Sequence, residues 1–298
     1  RHQWIFCSAM WRLVVLLVFQ SGASPVLLQS LEHDALPNSI GIVGVGTIGS
    51  ALARGILGAP AGHLPHVPSF VLSPRNADKS AALKREFPNS VRIAATDQEV
   101  LDGSDCVVLA LPGSVAVDVI KSLRFREGQQ VISLIAAVNY IELKQLLGPE
   151  VDCARANPLP AIAKRQGATL GFPSKPYAAA IFSALGTYVA ASDEREFKAM
   201  GVAGTLMGDF YMRQLTVQQW MNGRQVDVQK ASAYIGAIFA TIAADSADAG
   251  PTTFAEKVAE QTPGGLNEMV WKQQEAAGVY AAVNKSLDAV YEGHHSAE

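Results

Sequence analysis

A glycine-rich turn between an apolar run and a helical pattern constrains this chain more than any other feature. The run Ile40–Val45 leads into the turn, where Gly44, Gly46 and Gly49 have the spacing G-x-G-x-x-G. In a strand–turn–helix unit, the first glycine permits a tight turn, the second lets a pyrophosphate approach, and the third allows close packing. Free amides at the start of the helix then face the anion. This predicts a dinucleotide site that includes Gly44, Gly46, Thr47, Ile48 and Gly49.

Strand-like runs alternate with helical patterns over the first half of the chain, which indicates a parallel sheet with helical crossovers. The run Cys106–Leu111 is apolar throughout, as expected of a strand buried on both faces. From Asp193 onward the pattern is nearly all helical, and Ala231–Ala249 is apolar around most of its circumference. We therefore predict an α/β fold, a Rossmann-type doubly wound parallel sheet followed by an all-α C-terminal dimerisation domain.

The segment after the second predicted strand indicates which cofactor is bound. In this fold an acidic residue at that point binds the ribose of NAD, whereas a basic residue accommodates the 2′-phosphate of NADP. The run Ser69–Leu72 is followed by Ser73, Pro74, Arg75 and Asn76, with no acidic residue among them. Arg75 can form a forked pair with a phosphate, and Ser73 and Asn76 can donate hydrogen bonds. We expect NADP(H), with NAD(H) as the alternative. The structural alternative is that Ser73–Asn76 is only a turn and the start of a helix.

Two further loops are expected to border the cofactor, because ligands of such sheets bind at the carboxyl ends of the strands. Leu111 and Pro112 end one apolar run, and Ser133 lies near the end of the next. We assign all three to the nicotinamide half of the cofactor. For Ser133, a buried hydroxyl with a backbone partner is an equal alternative.

Composition excludes several other classes of function. The chain has a net charge of −3 and no basic cluster, which gives no basis for nucleic-acid binding. Its three cysteines are isolated and lack metal-ligand spacing, so we expect no metal site. We also expect no membrane association of the mature form. The apolar helix needs a covering surface, which favours a homodimer or a higher homo-oligomer.

The predicted organisation has three parts. Residues 1–37 form an N-terminal extension or targeting segment, residues 38–185 the NADP-binding Rossmann domain, and residues 186–298 a helical substrate and dimerisation domain. Residues 10–24 combine an arginine, an apolar run and small residues, as a targeting signal does. The expected location is cytoplasmic, with an organelle or the secretory route as the alternative if that segment is a signal.

Several segments together resemble the pyrroline-5-carboxylate reductase family over about residues 39–292. They are the glycine turn, Ser73–Asn76, the strand end at Ser133, the stretch Arg155–Ala161, and Thr262-Pro-Gly-Gly265, which resembles the family's Ser-Pro-Gly-Gly-x-Thr. The cofactor half matches better than the substrate half. Leu111 replaces a family lysine, and Asn267 stands where the family has a threonine that contacts the imino acid.

The resemblance implies hydride transfer from NADPH to the C=N carbon of a cyclic imino acid, pyrroline-5-carboxylate or a related imine. It places the substrate on Thr262, Gly264, Gly265 and Asn267, with amides ahead of the following helix receiving a carboxylate. Thr262 and Asn267 are then the expected catalytic residues. Two alternatives stay open: a non-catalytic NADP-binding redox sensor, and a two-domain dehydrogenase of another small acid. The latter requires a lysine, for which Lys230 and Lys257 are the candidates.

Overall fold

The structure is a computed structural model that describes residues 35–293, so the possible targeting signal at residues 10–24 lies outside the described residues. The chain divides into two compact units between Phe197 and Lys198. The sequence placed this boundary after residue 185. The strand Thr187–Ala190 pairs with its neighbour in the sheet, which extends the first unit beyond the predicted position.

The first unit is built on one eight-stranded sheet within the described residues, with the order β3-β2-β1-β4-β5-β6-β7-β8. Neighbouring strands are parallel except β6 and β7, which are antiparallel. The strands are β1 Ser39–Val43, β2 Ser69–Leu72, β3 Val91–Ile93, β4 Cys106–Leu109, β5 Gln130–Ser133, β6 Asp152–Pro158, β7 Ala168–Phe172 and β8 Thr187–Ala190. The order from β3 to β6 reverses direction between β1 and β4, which is the point where this fold binds ligands.

Helices connect these strands. They are α1 Thr47–Leu57, α2 Ala77–Glu86, α3 Asp97–Asp102, α4 Gly113–Lys121, α5 Tyr140–Leu147 and α6 Pro176–Ser183. Two apolar clusters form the core, one containing Ile40 and Phe182 and the other Val107 and Leu143. All four residues of β4 are buried, as the apolar run predicted. The predicted α/β class with a doubly wound sheet is confirmed.

The strands end earlier than the apolar runs suggested. β1, β4 and β5 end at Val43, Leu109 and Ser133, two residues before the ends of the apolar runs Ile40–Val45, Cys106–Leu111 and Gln130–Ile135. The residues released from the ladder form the loops at the carboxyl edge of the sheet. The apolar runs in the sequence extend past the strands because these loops also pack into the core. Val45 and Ile135, for example, are both buried.

The second unit is helical. After α7 Glu194–Ala203, which spans the division, its helices are α8 Met207–Asn222, α9 Val228–Ala244, α10 Thr253–Ala259, α11 Leu266–Ala276 and α12 Val279–Gly293. The buried residues of α9 are Ala231 and Ile235, whereas Ile242 is 62% exposed. Other large apolar side chains on these helices are also exposed, among them Trp220 and Phe254. No helix in residues 35–293 is long and apolar enough to cross a membrane.

Candidate cofactor-binding site

The three glycines of the turn occupy three different environments. Gly44 has a φ of +96°, and a Cβ there would overlap the carbonyl group of Ala110. A Cβ on Gly49 would lie 2.7 Å from the carbonyl oxygen of Gly44. Gly46, in contrast, has no atom within 4 Å of its ideal Cβ position. The first and third glycines are therefore needed by the fold, whereas the second leaves open space for a ligand.

The open position lies at the N-terminus of α1. Gly46 is the N-cap residue, and no side chain caps this helix. The Gly46 amide donates to the carbonyl oxygen of Gly44 at 2.9 Å, which closes the turn, and the Gly46 carbonyl accepts from Ser50 at 3.0 Å. The first amides of a helix have no intrahelical acceptor, and the helix dipole adds partial positive charge. Thr47 and Ile48 thus present donors suited to a diphosphate.

These donors line a cavity of about 720 Å³ at the carboxyl ends of β1, β2, β4 and β5. Its lining comprises Gly44, Val45, Gly46, Thr47, Ile48, Arg75, Asn76, Ala77, Asp78, Ala110, Leu111, Pro112, Val115 and Leu134. The cavity therefore brings together all the predicted cofactor residues except Gly49, Ser73 and Ser133. The other lining residues were not predicted: Val45, Ala77, Asp78, Ala110, Val115 and Leu134. Each lies within three residues of a predicted residue, so proximity along the chain was the available signal.

Arg75 supplies positive charge at this cavity, and its guanidinium forms an ion pair with a largely buried carboxylate. The guanidinium is 57% exposed, and its Nε lies 3.0 Å from Oδ2 of Asp97, whose side chain is 9% exposed. The pair uses the Nε edge, and the two terminal nitrogens are the donors a phosphate would use. The sequence reasoning missed Asp97 because it searched for acidic residues only after β2. Asp97 instead opens α3, after the neighbouring strand β3.

Two predicted serines lie behind the cavity wall. Ser73 is fully buried, and its hydroxyl donates to Oδ1 of Asp97 at 2.6 Å. Ser133 is also buried, and its hydroxyl accepts from the amide of Ile135 at 3.3 Å, which is the alternative considered for it. Asn76 does line the cavity, while its side-chain oxygen caps α2 by accepting from the amide of Lys79 at 3.4 Å. Ser73 therefore contacts Asp97, which in turn pairs with Arg75 at the cavity.

The predicted substrate residues form a turn in the second unit, ahead of α11. Gly264 has a φ of +73°, and the amide of Gly265 donates to the carbonyl oxygen of Thr262 at 2.8 Å. The amide of Gly264 donates to Oε2 of Glu268 at 2.7 Å. Nδ2 of Asn267 donates to Oε1 of Gln261 at 3.0 Å. The turn is thus closed by its own residues, and Thr262 and Asn267 are exposed.

Glu268 is held as a carboxylate in this turn. Its Oε1 lies 2.6 Å from Nζ of Lys272, one helical turn further along α11. The hydrogen bond from Lys272, followed by that from the Gly264 amide, lowers the pKa of Glu268. A carboxyl group with a lowered pKa is ionised at neutral pH and is therefore not poised to donate a proton.

The glycine turn, the switch of strand order and the cavity define a Rossmann-type dinucleotide-binding protein. Comparison with known families agrees with this class. Residues 39–137 match the family described as NADP oxidoreductase, coenzyme F420-dependent. No curated protein matches the chain by sequence. The match covers β1 to β5, which include the four strands whose following loops line the cavity.

Solved structures extend the likeness to the helical unit. The pyrroline-5-carboxylate reductase of Streptococcus pyogenes is 20% identical with a TM-score of 0.70, over 88% of this chain and 99% of that chain. The Plasmodium falciparum pyrroline carboxylate reductase, solved with NADP bound, is 15% identical with a TM-score of 0.69, over 87% and 97%. A reductive aminase from Aspergillus terreus, in complex with NADPH and ethyl levulinate, is 16% identical with a TM-score of 0.54, over 87% and 95%.

At these identities the likeness concerns the fold. The chain has the fold of the pyrroline-5-carboxylate reductases, so the resemblance predicted from its sequence is confirmed at that level. The same fold also occurs in the reductive aminase, so it does not by itself select a substrate. The identity of the substrate must be argued from the residues of the turn before α11.

Proposed function

We propose that this chain is an NADPH-dependent reductase that transfers a hydride to the C=N carbon of a cyclic imine, pyrroline-5-carboxylate or a related compound. The observation that carries the proposal is the cavity in which Gly46 leaves open space at the start of α1 and Arg75 supplies a guanidinium. Such a cavity fits a diphosphate at one point and a phosphate monoester at another. The match to an NADP oxidoreductase family supports the same cofactor.

The choice of NADP(H) over NAD(H) rests on charge. Two carboxylates lie near Arg75: Asp78, which lines the cavity, and Asp97, whose two oxygens bind Ser73 and Arg75. An acidic residue selects NAD by accepting the ribose hydroxyls, which requires oxygens that face the ribose. The buried carboxylate is committed to Arg75 and Ser73 instead. Arg75 therefore decides the preference, and NAD(H) is the weaker ligand.

The bound nicotinamide would supply the hydride, and the protein would supply position and electrostatics. Hydride addition to the imine carbon requires a proton on the nitrogen, which a hydroxyl or a water can deliver. Thr262 and Asn267 are the proposed polar contacts of the substrate, and Thr262 carries the hydroxyl. Correct placement of the reacting atoms can supply about 7–11 kcal/mol of the barrier.

The proposal is tested by following NADPH oxidation by the purified chain with pyrroline-5-carboxylate, other cyclic imines and 2-keto acids. Turnover of an imine supports a reductase. Binding of NADPH without turnover of any compound would instead favour the redox sensor. Turnover of 2-keto acids alone would favour the other dehydrogenase. The dehydrogenase alternative requires a lysine that acts as a general base, and a general base must be neutral. Hydrogen bonds to Asp245 and Glu260 raise the pKa of the candidate Lys257 and so keep it charged.

We further propose that the helical unit assembles as a homodimer. Large apolar side chains on α8, α9 and α10 are exposed in the single chain, including Trp220, Ile242 and Phe254. Exposed large apolar side chains are typical of a protein interface where they lie together, and symmetric pairing of identical copies is the commonest way to cover such a surface. Sedimentation at micromolar concentration tests this proposal, and a monomer would refute it.

A further inference from the structure

Three of the donors that were expected to receive a substrate carboxylate already have partners within the chain. The amide of Gly264 donates to Glu268, and the amide of Gly265 donates to the carbonyl oxygen of Thr262. The side-chain amide of Asn267 donates to Gln261. Each of these three donors therefore has a partner within the turn or in α11. A carboxylate arriving from solvent would have to displace Glu268 in order to use the Gly264 amide.

The partner of Gly264 is itself a carboxylate. Glu268 is the third residue of α11 and reaches back to the amide that precedes the N-cap Gly265, in the manner of the acidic residue of a capping box. Its second oxygen pairs with Lys272 at 2.6 Å. The side chain of Glu268 is 23% exposed, compared with 55% for Lys272. Glu268 thus fills the amide site and also engages the nearest cation on the same helix.

We propose that Glu268 takes, from within the chain, the position that a substrate carboxylate would occupy, so that the substrate is a cyclic imine without a carboxylate on its ring. This inference rests on the proposed reductase function and names the substrate class for it. The carboxylate of Glu268 acts as a specificity determinant. It withholds the Gly264 amide and places a negative charge beside any incoming anion.

Electrostatic repulsion by Glu268 should disfavour a substrate that carries a carboxylate. Two like charges in contact repel each other, and one amide hydrogen serves one strong acceptor well. The lowered pKa of Glu268 keeps this charge present throughout the neutral range. An uncharged or protonated imine meets no such repulsion. Removal of Glu268 frees the amide and also releases Lys272, so a substrate carboxylate would gain a donor and a cation together.

The test compares two imines that differ by one group: 1-pyrroline, which has no carboxylate, and 1-pyrroline-5-carboxylate. Rates of NADPH oxidation are measured for the full-length wild-type chain, for Glu268→Leu, which removes the acceptor, and for Glu268→Gln, which keeps an oxygen and removes the charge. Glu275→Gln is the matched control, because Glu275 is an exposed carboxylate on the same helix. Thermal melts of all four proteins report whether each one is folded.

For the wild type we expect kcat/KM with 1-pyrroline to exceed that with the carboxylate by about tenfold or more, the size of one unfavourable charge contact. Both Glu268 variants should lower this ratio of kcat/KM values by about tenfold, chiefly through a lower KM for 1-pyrroline-5-carboxylate. The control Glu275→Gln should leave the ratio unchanged. If Glu268→Leu fails to fold, Glu268→Gln still provides the comparison.

Two results would overturn the inference, and they differ from each other. A wild type that reduces the carboxylate at least as well as 1-pyrroline, with a ratio unaffected by Glu268→Gln, would refute the role of Glu268 and leave the imine reductase intact. Absence of turnover with either imine, with NADPH still bound, would refute the proposed function and the inference together.

Discussion

Substitution of the second glycine by alanine should separate cofactor binding from folding. An ideal Cβ at Gly46 has no atom within 4 Å, and the residue has a φ of −85°, which alanine adopts readily. The cost to stability is that of replacing a glycine N-cap by alanine, below about 1 kcal/mol. The added methyl group occupies the space through which the diphosphate approaches the helix start. We expect the affinity for NADPH and NADH to fall by about tenfold or more, equally for both.

Gly44→Ala provides the contrasting variant. Its φ of +96° strains any residue with a Cβ, and the methyl group would overlap Ala110. Backbone strain of about 1–3 kcal/mol and overpacking of about 1–3 kcal/mol add to roughly 2–6 kcal/mol of lost stability. The assays are denaturant unfolding for stability and calorimetric titration for affinity. If Gly46→Ala bound both nucleotides as tightly as the wild type, the diphosphate would not lie over this glycine and the assigned cofactor position would be wrong.

Three further predictions concern the charged residues. Arg75→Ala should weaken NADPH binding by about tenfold or more and leave NADH nearly unchanged, because only NADPH carries the 2′-phosphate; titration calorimetry measures both. Asp97→Asn should raise the NADPH-to-NADH preference severalfold in the same assay, since it removes a negative charge beside Arg75 while keeping an oxygen for its Nε. Glu268→Gln should lower the melting temperature at pH 7, and this deficit should shrink as the pH falls below the ordinary pKa of a glutamate, about 4.3.

The sign of the last prediction follows from the lowered pKa of Glu268. A carboxyl group whose pKa is lower in the folded state stabilises the fold above its ordinary pKa, and this contribution is lost as the pH falls through the lowered value. A deficit that grew with acidity would contradict the assigned contacts with Lys272 and Gly264. Equal losses of NADPH and NADH affinity in Arg75→Ala would reject the 2′-phosphate assignment. A drop in NADPH preference in Asp97→Asn would show that Asp97 chiefly orients Arg75.

Much of the first unit could be predicted from the sequence because local pattern and fold agree there. The glycine spacing fixed the strand–turn–helix unit, and the buried run at Cys106–Leu109 fixed a central strand. The reversed direction of β7 relative to β6 carried no such signal, because a short apolar strand is read identically in either direction. The boundary between the units lies later than the predicted residue 185 for a similar reason, because β8 is short and largely exposed.

The site was less accessible to sequence reasoning where contacts join separate elements. Ser73 and Asp97 are 24 residues apart and meet only because β2 and β3 are adjacent. Nothing local distinguishes a serine that binds a ligand from one that binds Asp97. The contact between Glu268 and Gly264 is local, at four residues, and could have been read from its position in the first turn of α11. The resemblance to a family with a carboxylate substrate directed attention to the amides instead.

The central claim is that the turn from Gly44 to Gly49 together with Arg75 binds NADP(H). Calorimetric titration of the purified chain with NADPH and with NADH, in one buffer at one ionic strength, tests it most directly. We expect one nucleotide per chain, with NADPH bound about tenfold or more tightly than NADH. Absence of heat with both nucleotides, or tighter binding of NADH, would contradict it.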